Sequence, residues 1–233
     1  DKIFVSQDAT SLFTNVPLDE AIEVIYVQLR NDGTLDQRTK LTAGDIKELL
    51  HLCVSKSQFM YDEKTHSANN SGPIGLSLMV TISNSWMTHT IGKALKIAEQ
   101  RKIRPPVFIC KYVDDIFTIM VNHPTTRNRG DPIENWLACL NAVHPRVQFT
   151  FENEEDNSIA FLDCLVKKLP NGKVVTSVYR KTSETNVMVK PYSCIDPKTA
   201  IGTFKGYLCR AHRVCSTTDL LKQEVDLLLD IWQ

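Results

Sequence analysis

From residue 107 to residue 121 the chain reads VFICKYVDDIFTIMV, two runs of apolar, β-branched and aromatic residues broken by one acidic pair. Runs of this kind on either side of a short polar break predict a β-hairpin with Asp114 and Asp115 at its turn. Nearer the start, residues 3–5 read as a strand. Pro17 then stands at a first helical position, with Asp19 and Glu20 in the first turn. Thr42 and Asp45 have the spacing of a capping box, opening a helix over 46–54 whose Ile46, Leu49, Leu50 and Cys53 share one face. Residues 57–61 form a short strand candidate.

Residues 76–97 lean apolar but contain Ser77, Thr81, Ser83, Asn84, Ser85, Thr88, His89 and Lys93. They predict a long helix packed under a sheet, not a membrane span. A polar, turn-rich loop over 124–131 precedes a helix over 133–143, an alternating strand over 147–151, an acidic turn and a returning strand over 159–167. Asn171-Gly172 joins that strand to another over 174–179. The order strand, helix, strand, strand, helix, strand is the split βαβ pattern. From Thr199 the tail turns helical. Ser216 to Asp219 has the spacing of a second capping box, and Leu221, Val225, Leu228 and Trp232 line one stripe.

The chain has 233 residues, 42% of them hydrophobic, which is enough to bury a sizeable core and sits at the upper end for one domain. Formal net charge is zero, so no global basic field marks nucleic acid as a partner; any electrostatic footprint must be local. Seven cysteines without a CxxC pair suggest neither a disulfide framework nor a zinc ribbon. A reducing intracellular compartment, nuclear or cytoplasmic, is the expectation. Cys209, His212 and Cys215 lack a fourth ligand and read as buried thiols beside a surface histidine.

The chemistry lies in the acids. Adjacent carboxylates in an apolar hairpin cost free energy unless solvent, a cation or a partner compensates. Two Mg²⁺ ions about 3.5–4 Å apart need ligands from separate elements, and Asp8, between a strand and a helix start, is the second source. The reading is metal-dependent nucleotidyl transfer.

Four segments in order, DATSLFTNVPLDEAI (8–22), YVDD (112–115), HPRVQFTFENEEDNSIAFLDCLV (144–166) and VYRKTSETN (178–186), together resemble the reverse transcriptases of Penelope-like retroelements. The resemblance implies an α+β fold: a right-hand polymerase palm, built as a ferredoxin-like antiparallel sheet with helices on one face, over 1–182, then a partial helical thumb over 183–233. It implies Asp8, Asp114 and Asp115 as catalytic acids holding Mg²⁺ or Mn²⁺. Phe13 becomes the steric gate that favours dNTPs, and Gly75 part of the nucleotide site. Tyr112, Arg180, Lys181, Arg210 and Arg213 are the nucleic-acid contacts, the partners being an RNA template and a DNA primer, with no membrane.

The departures cluster where such an enzyme holds its nucleotide. Against a family pattern ending Ala-Met-Gly-Ser-Pro-Leu-Ser-Pro, only Gly75 and Leu78 keep their places, and Leu76 brings an apolar side chain where a small polar one is usual. Gln7 and Ala9 flank the first acid in place of an aromatic residue and a valine, and Thr182-Ser183-Glu184 follows the YRK run. Fingers strands and an endonuclease module are expected to be absent. The alternative is a retroelement-derived protein that has lost synthesis and acts as a binding or scaffold module. A nucleotidyl cyclase also uses paired acids, but SLFTNVP does not support it.

Overall fold

The computed structural model describes residues 2–55, 58–67, 72–73, 75–121, 130–181 and 194–232. The chain divides into two compact units, Asp1–Glu152 and Asn153–Gln233.

The first unit opens with β1 (Lys2–Ala9), the short helix α1 (Leu12–Asn15) and α2 (Leu18–Arg30). Next come α3 (Leu35–Arg38), α4 (Ala43–Ser55) and a hairpin of β2 (Gln58–Tyr61) and β3 (Lys64–Ser67). The long helix α5 (Ser77–Gln100), the hairpin of β4 (Phe108–Tyr112) and β5 (Asp115–Val121), α6 (Pro132–Asn141) and β6 (Phe149–Asn153) complete it. The sheet order is β4-β5-β1-β6, the arrangement expected of a split βαβ unit in which the first strand lies between the last and the hairpin.

Strand alternation decides which residues meet the helices. Val5, Gln7, Ala9, Ile116, Thr118 and Met120 are buried and share one face by register. Most of these apolar residues join Ile22 of α2, Ile82 and Trp86 of α5 and Trp136 of α6 in the core. Truncating either buried indole to alanine costs about 3–5 kcal/mol. Gln7 is admitted to this face because its side-chain amide donates to Thr118 Oγ1 at 2.9 Å. The opposite face carries Phe4 and Phe117, with ring centroids 5.5 Å apart, and at the hairpin end Asp8, Asp115 and Tyr112.

Several expectations shift by a residue or two. Pro17 is the cap and not the first residue of α2. The first capping box is reciprocal: the Asp45 carboxylate accepts from Thr42 N at 2.8 Å, and Thr42 Oγ1 accepts from Asp45 N at 3.2 Å. The loop expected over 124–131 lies mostly outside the described residues, as do residues 68–71, 74 and 182–184.

The second unit contains β7 (Ser158–Phe161), β8 (Cys164–Lys168), β9 (Val174–Val178), α7 (Pro197–Val214) and α8 (Thr218–Trp232). The single strand expected over 159–167 is in fact a hairpin. Leu162 takes a left-handed φ of 53° and Phe161 pairs with Cys164. The second capping box is also different: Ser216 Oγ accepts from Thr176 N at 2.8 Å, and Thr217 Oγ1 caps α8 by accepting from Leu220 N at 3.3 Å. Leu228 on the expected stripe is buried, and the Phe204 and Trp232 rings stack 4.6 Å apart.

Candidate active site

Asp8 ends β1 and Asp115 begins β5, and the antiparallel ladder makes them direct Cα partners. Directly opposed side chains in such a ladder lie on the same face, so the two carboxylates share the side away from the helices. Tyr112 pairs with Asp115 on the other flank and is 61% exposed. Between them, Val113 and Asp114 form the turn, and Val113 holds a φ of 53°. A β-branched residue in that region is strained, and such strain persists only where its surroundings fix it.

Burial first, then the charge of Asp114, raises the Asp8 carboxyl above its ordinary 3.8; Glu152 adds to this and the Ala9 N–H opposes it. Asp115 is raised by burial, then by Asp114 and Asp8. The Asp114 charge thus bears on both Asp8 and Asp115, and that repulsion favours a positive charge beside them. Their hard oxygen donors suit Mg²⁺ or Mn²⁺. Among the described residues no group of three or more His, Cys, Asp or Glu side chains is gathered closely enough to hold a metal ion by itself. A magnesium site that also uses water and substrate phosphate needs only one or two protein carboxylates.

Phe13 lies in α1, half-buried against the core. Gly72 meets it there, its N–H donating to the Phe13 carbonyl at 3.0 Å. Gly75 has a φ of 100° with open space where a side chain would stand, and Leu76 packs partly buried against the core. On β4, Lys111 Nζ donates to the Asn84 side-chain oxygen and, at 3.4 Å, to the Asn84 carbonyl on α5. Sequence reasoning missed Gly72 and Lys111. The glycine stands three residues before the one that the family pattern marks, and a lysine in a strand carries no local signal.

The expected nucleic-acid contacts divide. The Arg180 guanidinium is held by the Glu224 carboxylate in a two-pronged pair at 2.6 and 2.5 Å, with Glu224 only 8% exposed. Arg210 pairs with Asp163 at 3.3 Å. Lys181 and Arg213 are exposed.

The sheet order, the helices over one face and the acid-bearing hairpin define a palm-type, reverse-transcriptase-like α+β fold. No family model matches the chain. No curated protein matches it either. Solved structures do. Telomerase from Candida albicans, in complex with a fragment of telomeric RNA, is similar over 99% of this chain and 38% of its own, with a TM-score of 0.65 and 12% identity. Apo telomerase from Candida tropicalis is similar over 99% of this chain and 41% of its own, with a TM-score of 0.55 and 14% identity. A form of it truncated from the C-terminal domain is similar over 74% and 35%, with a TM-score of 0.52 and 14% identity. The likeness is one of fold, and the chain spans well under half the length of these telomerases.

Proposed function

We propose that the chain is the palm, over 1–182, and the start of the thumb, over 183–233, of a Penelope-like RNA-directed DNA polymerase. The observation that carries this is the pairing of Asp8 with Asp115 beside Asp114 on the sheet face opposite the α2, α5 and α6 core. Asp8, Asp114 and Asp115 are the acids from which Mg²⁺ or Mn²⁺ would draw one or two carboxylates, with water and substrate phosphate completing the site. When bound, such ions lower the pKa of a primer 3′-hydroxyl and neutralise the leaving pyrophosphate. The rest is the work of the chain itself. The ladder fixes two acids face to face, and the strained turn fixes the third. The Phe13 ring takes up the space of a ribose 2′-hydroxyl, so that deoxynucleotides are preferred. Gly75, open on its side-chain side, lets a nucleotide approach the backbone. Exposed Lys181 and Arg213 contact phosphates of the primer–template duplex, and the exposed Tyr112 stands beside the acids where the primer end would lie. An RNA template is favoured by the Penelope-like motifs and by the RNA bound to the similar Candida albicans telomerase.

The test is primer extension on an RNA template with dNTPs and Mg²⁺, beside an Asp114→Ala/Asp115→Ala control. Extension that the control abolishes is the expected result. A folded protein that neither extends the primer nor binds nucleotide with Mg²⁺ would sink the proposal.

A further inference from the structure

Gly72 is buried, and it lies closer to its neighbours than any side chain would permit. A Cβ there would stand 2.0 Å from Met79 Cε, 2.9 Å from Met79 Sδ and 2.5 Å from the Phe13 carbonyl oxygen. These clashes differ in kind. The thioether end of Met79 is flexible and can swing aside. The Phe13 carbonyl is backbone, set in α1 between Leu12 and Val16, which are 2% and 0% exposed. It can yield only if α1 shifts in the core. Gly75 is the useful contrast: its φ of 100° asks for glycine, but nothing lies within 4 Å of its missing side chain. One glycine serves backbone conformation, the other contact.

We infer that Gly72 is a specificity-determining position, the seat on which Phe13 rests. Because it has no side chain, the Gly72 backbone lies directly on the Phe13 carbonyl and donates a hydrogen bond to it. That contact fixes where the ring stands relative to Asp8, five residues earlier on the same stretch of chain. How strictly a 2′-hydroxyl is excluded is then set by Gly72 as well as by the size of the ring. The inference rests on the polymerase reading above, in which Phe13 is the gate; Gly72 acts through it and positions it.

The experiment compares Met79→Ala with Gly72→Ala/Met79→Ala in the full chain. In this background the clashes with Met79 Cε and Sδ are gone and the clash with the Phe13 carbonyl remains. Met79→Ala alone is expected to melt earlier while keeping the wild-type ratio of kcat/KM for dNTP over rNTP. Adding Gly72→Ala is expected to lower that ratio about tenfold, a displacement of the gate worth the overpacking of one methyl, in the direction taken by Phe13→Val. An unchanged ratio in the double variant would overturn the inference. If the folded wild-type chain neither extends the primer nor binds nucleotide with Mg²⁺, the polymerase reading fails by itself, and the positional claim is read separately from 4-fluorophenylalanine placed at position 13. A ¹⁹F resonance that moves between the two variants supports the contact as the ring's support, and one that does not move refutes it.

Discussion

Asp8 and Asp115 face each other as partners at the last rung of the β1–β5 ladder, and burial and neighbouring charge raise both carboxyls. A carboxyl whose folded pKa lies above its unfolded value binds its proton more tightly in the folded state. Stability is therefore lost as pH rises from the ordinary 3.8 through the raised value, and the repulsion is fully present above it. Mg²⁺ is expected to raise the thermal midpoint at neutral pH and to lose that effect once the pH falls below both raised values. Asp115→Asn should stabilise the metal-free protein by about 0.5 kcal/mol, a small figure because solvent screens the pair, and should remove the response to Mg²⁺. Melting curves with and without the ion, from acid to neutral pH, decide it.

Arg180 and Lys181 are adjacent in sequence but should behave as opposites. Glu224→Ala removes the two-pronged carboxylate partner of a mostly buried guanidinium and should cost roughly 3 kcal/mol. Lys181→Ala should change stability by less than about 0.5 kcal/mol, yet lower the dependence of nucleic-acid affinity on the logarithm of salt by about one contact. Urea denaturation and a salt titration of duplex binding separate the two. A salt slope that changes with Lys181 but not with the Arg180–Glu224 pair is the expected outcome.

Lys111 joins the outermost strand of the sheet to α5, and burial lowers the pKa of its ammonium. Lys111→Met keeps the stem and removes the bond to Asn84. It should cost about 1 kcal/mol and speed amide exchange along β4 severalfold, with α6 unaffected. Uniform acceleration across the unit would show that the bond has no local role.

Thr217, not Ser216, caps α8. Thr217→Ala should therefore destabilise that helix by about 1 kcal/mol, with exchange rising in its first turn. Ser216→Ala should instead expose the Thr176 amide, which donates to Ser216 Oγ. Site-resolved exchange distinguishes them even where the two losses of stability are equal.

Residues 107–121 announced their hairpin because two apolar runs flank a short acidic break, and the long apolar-leaning stretch of α5 and the apolar stripe of α8 were equally legible. The strong local signals, Thr42 with Asp45 and Asn171 with Gly172, marked a helix start and a turn that the structure contains. What stayed hidden was whatever broke a local rule for a distant reason. The Phe161–Cys164 turn is apolar at Leu162, so a two-strand hairpin looked like one strand. Ser216 has the chemistry of a cap, but β9 claims its hydroxyl. Arg180 looks free in sequence because Glu224 lies 44 residues away. Around the acids, the residue types suggested the chemistry and the ladder supplied the opposition of Asp8 and Asp115. The seat beneath Phe13 depends on a contact between α1 and a distant loop, which no local pattern encodes.

The register that sets Lys2 against Val121 and Asp8 against Asp115 also acts as proofreading of the fold. Slipping β1 by one residue would turn Asp8 toward the helices and take Val5 and Gln7 off the face that packs on them. Such a misaligned chain would be both unstable and chemically silent, so molecules that have failed to fold properly would not display half of a reactive centre.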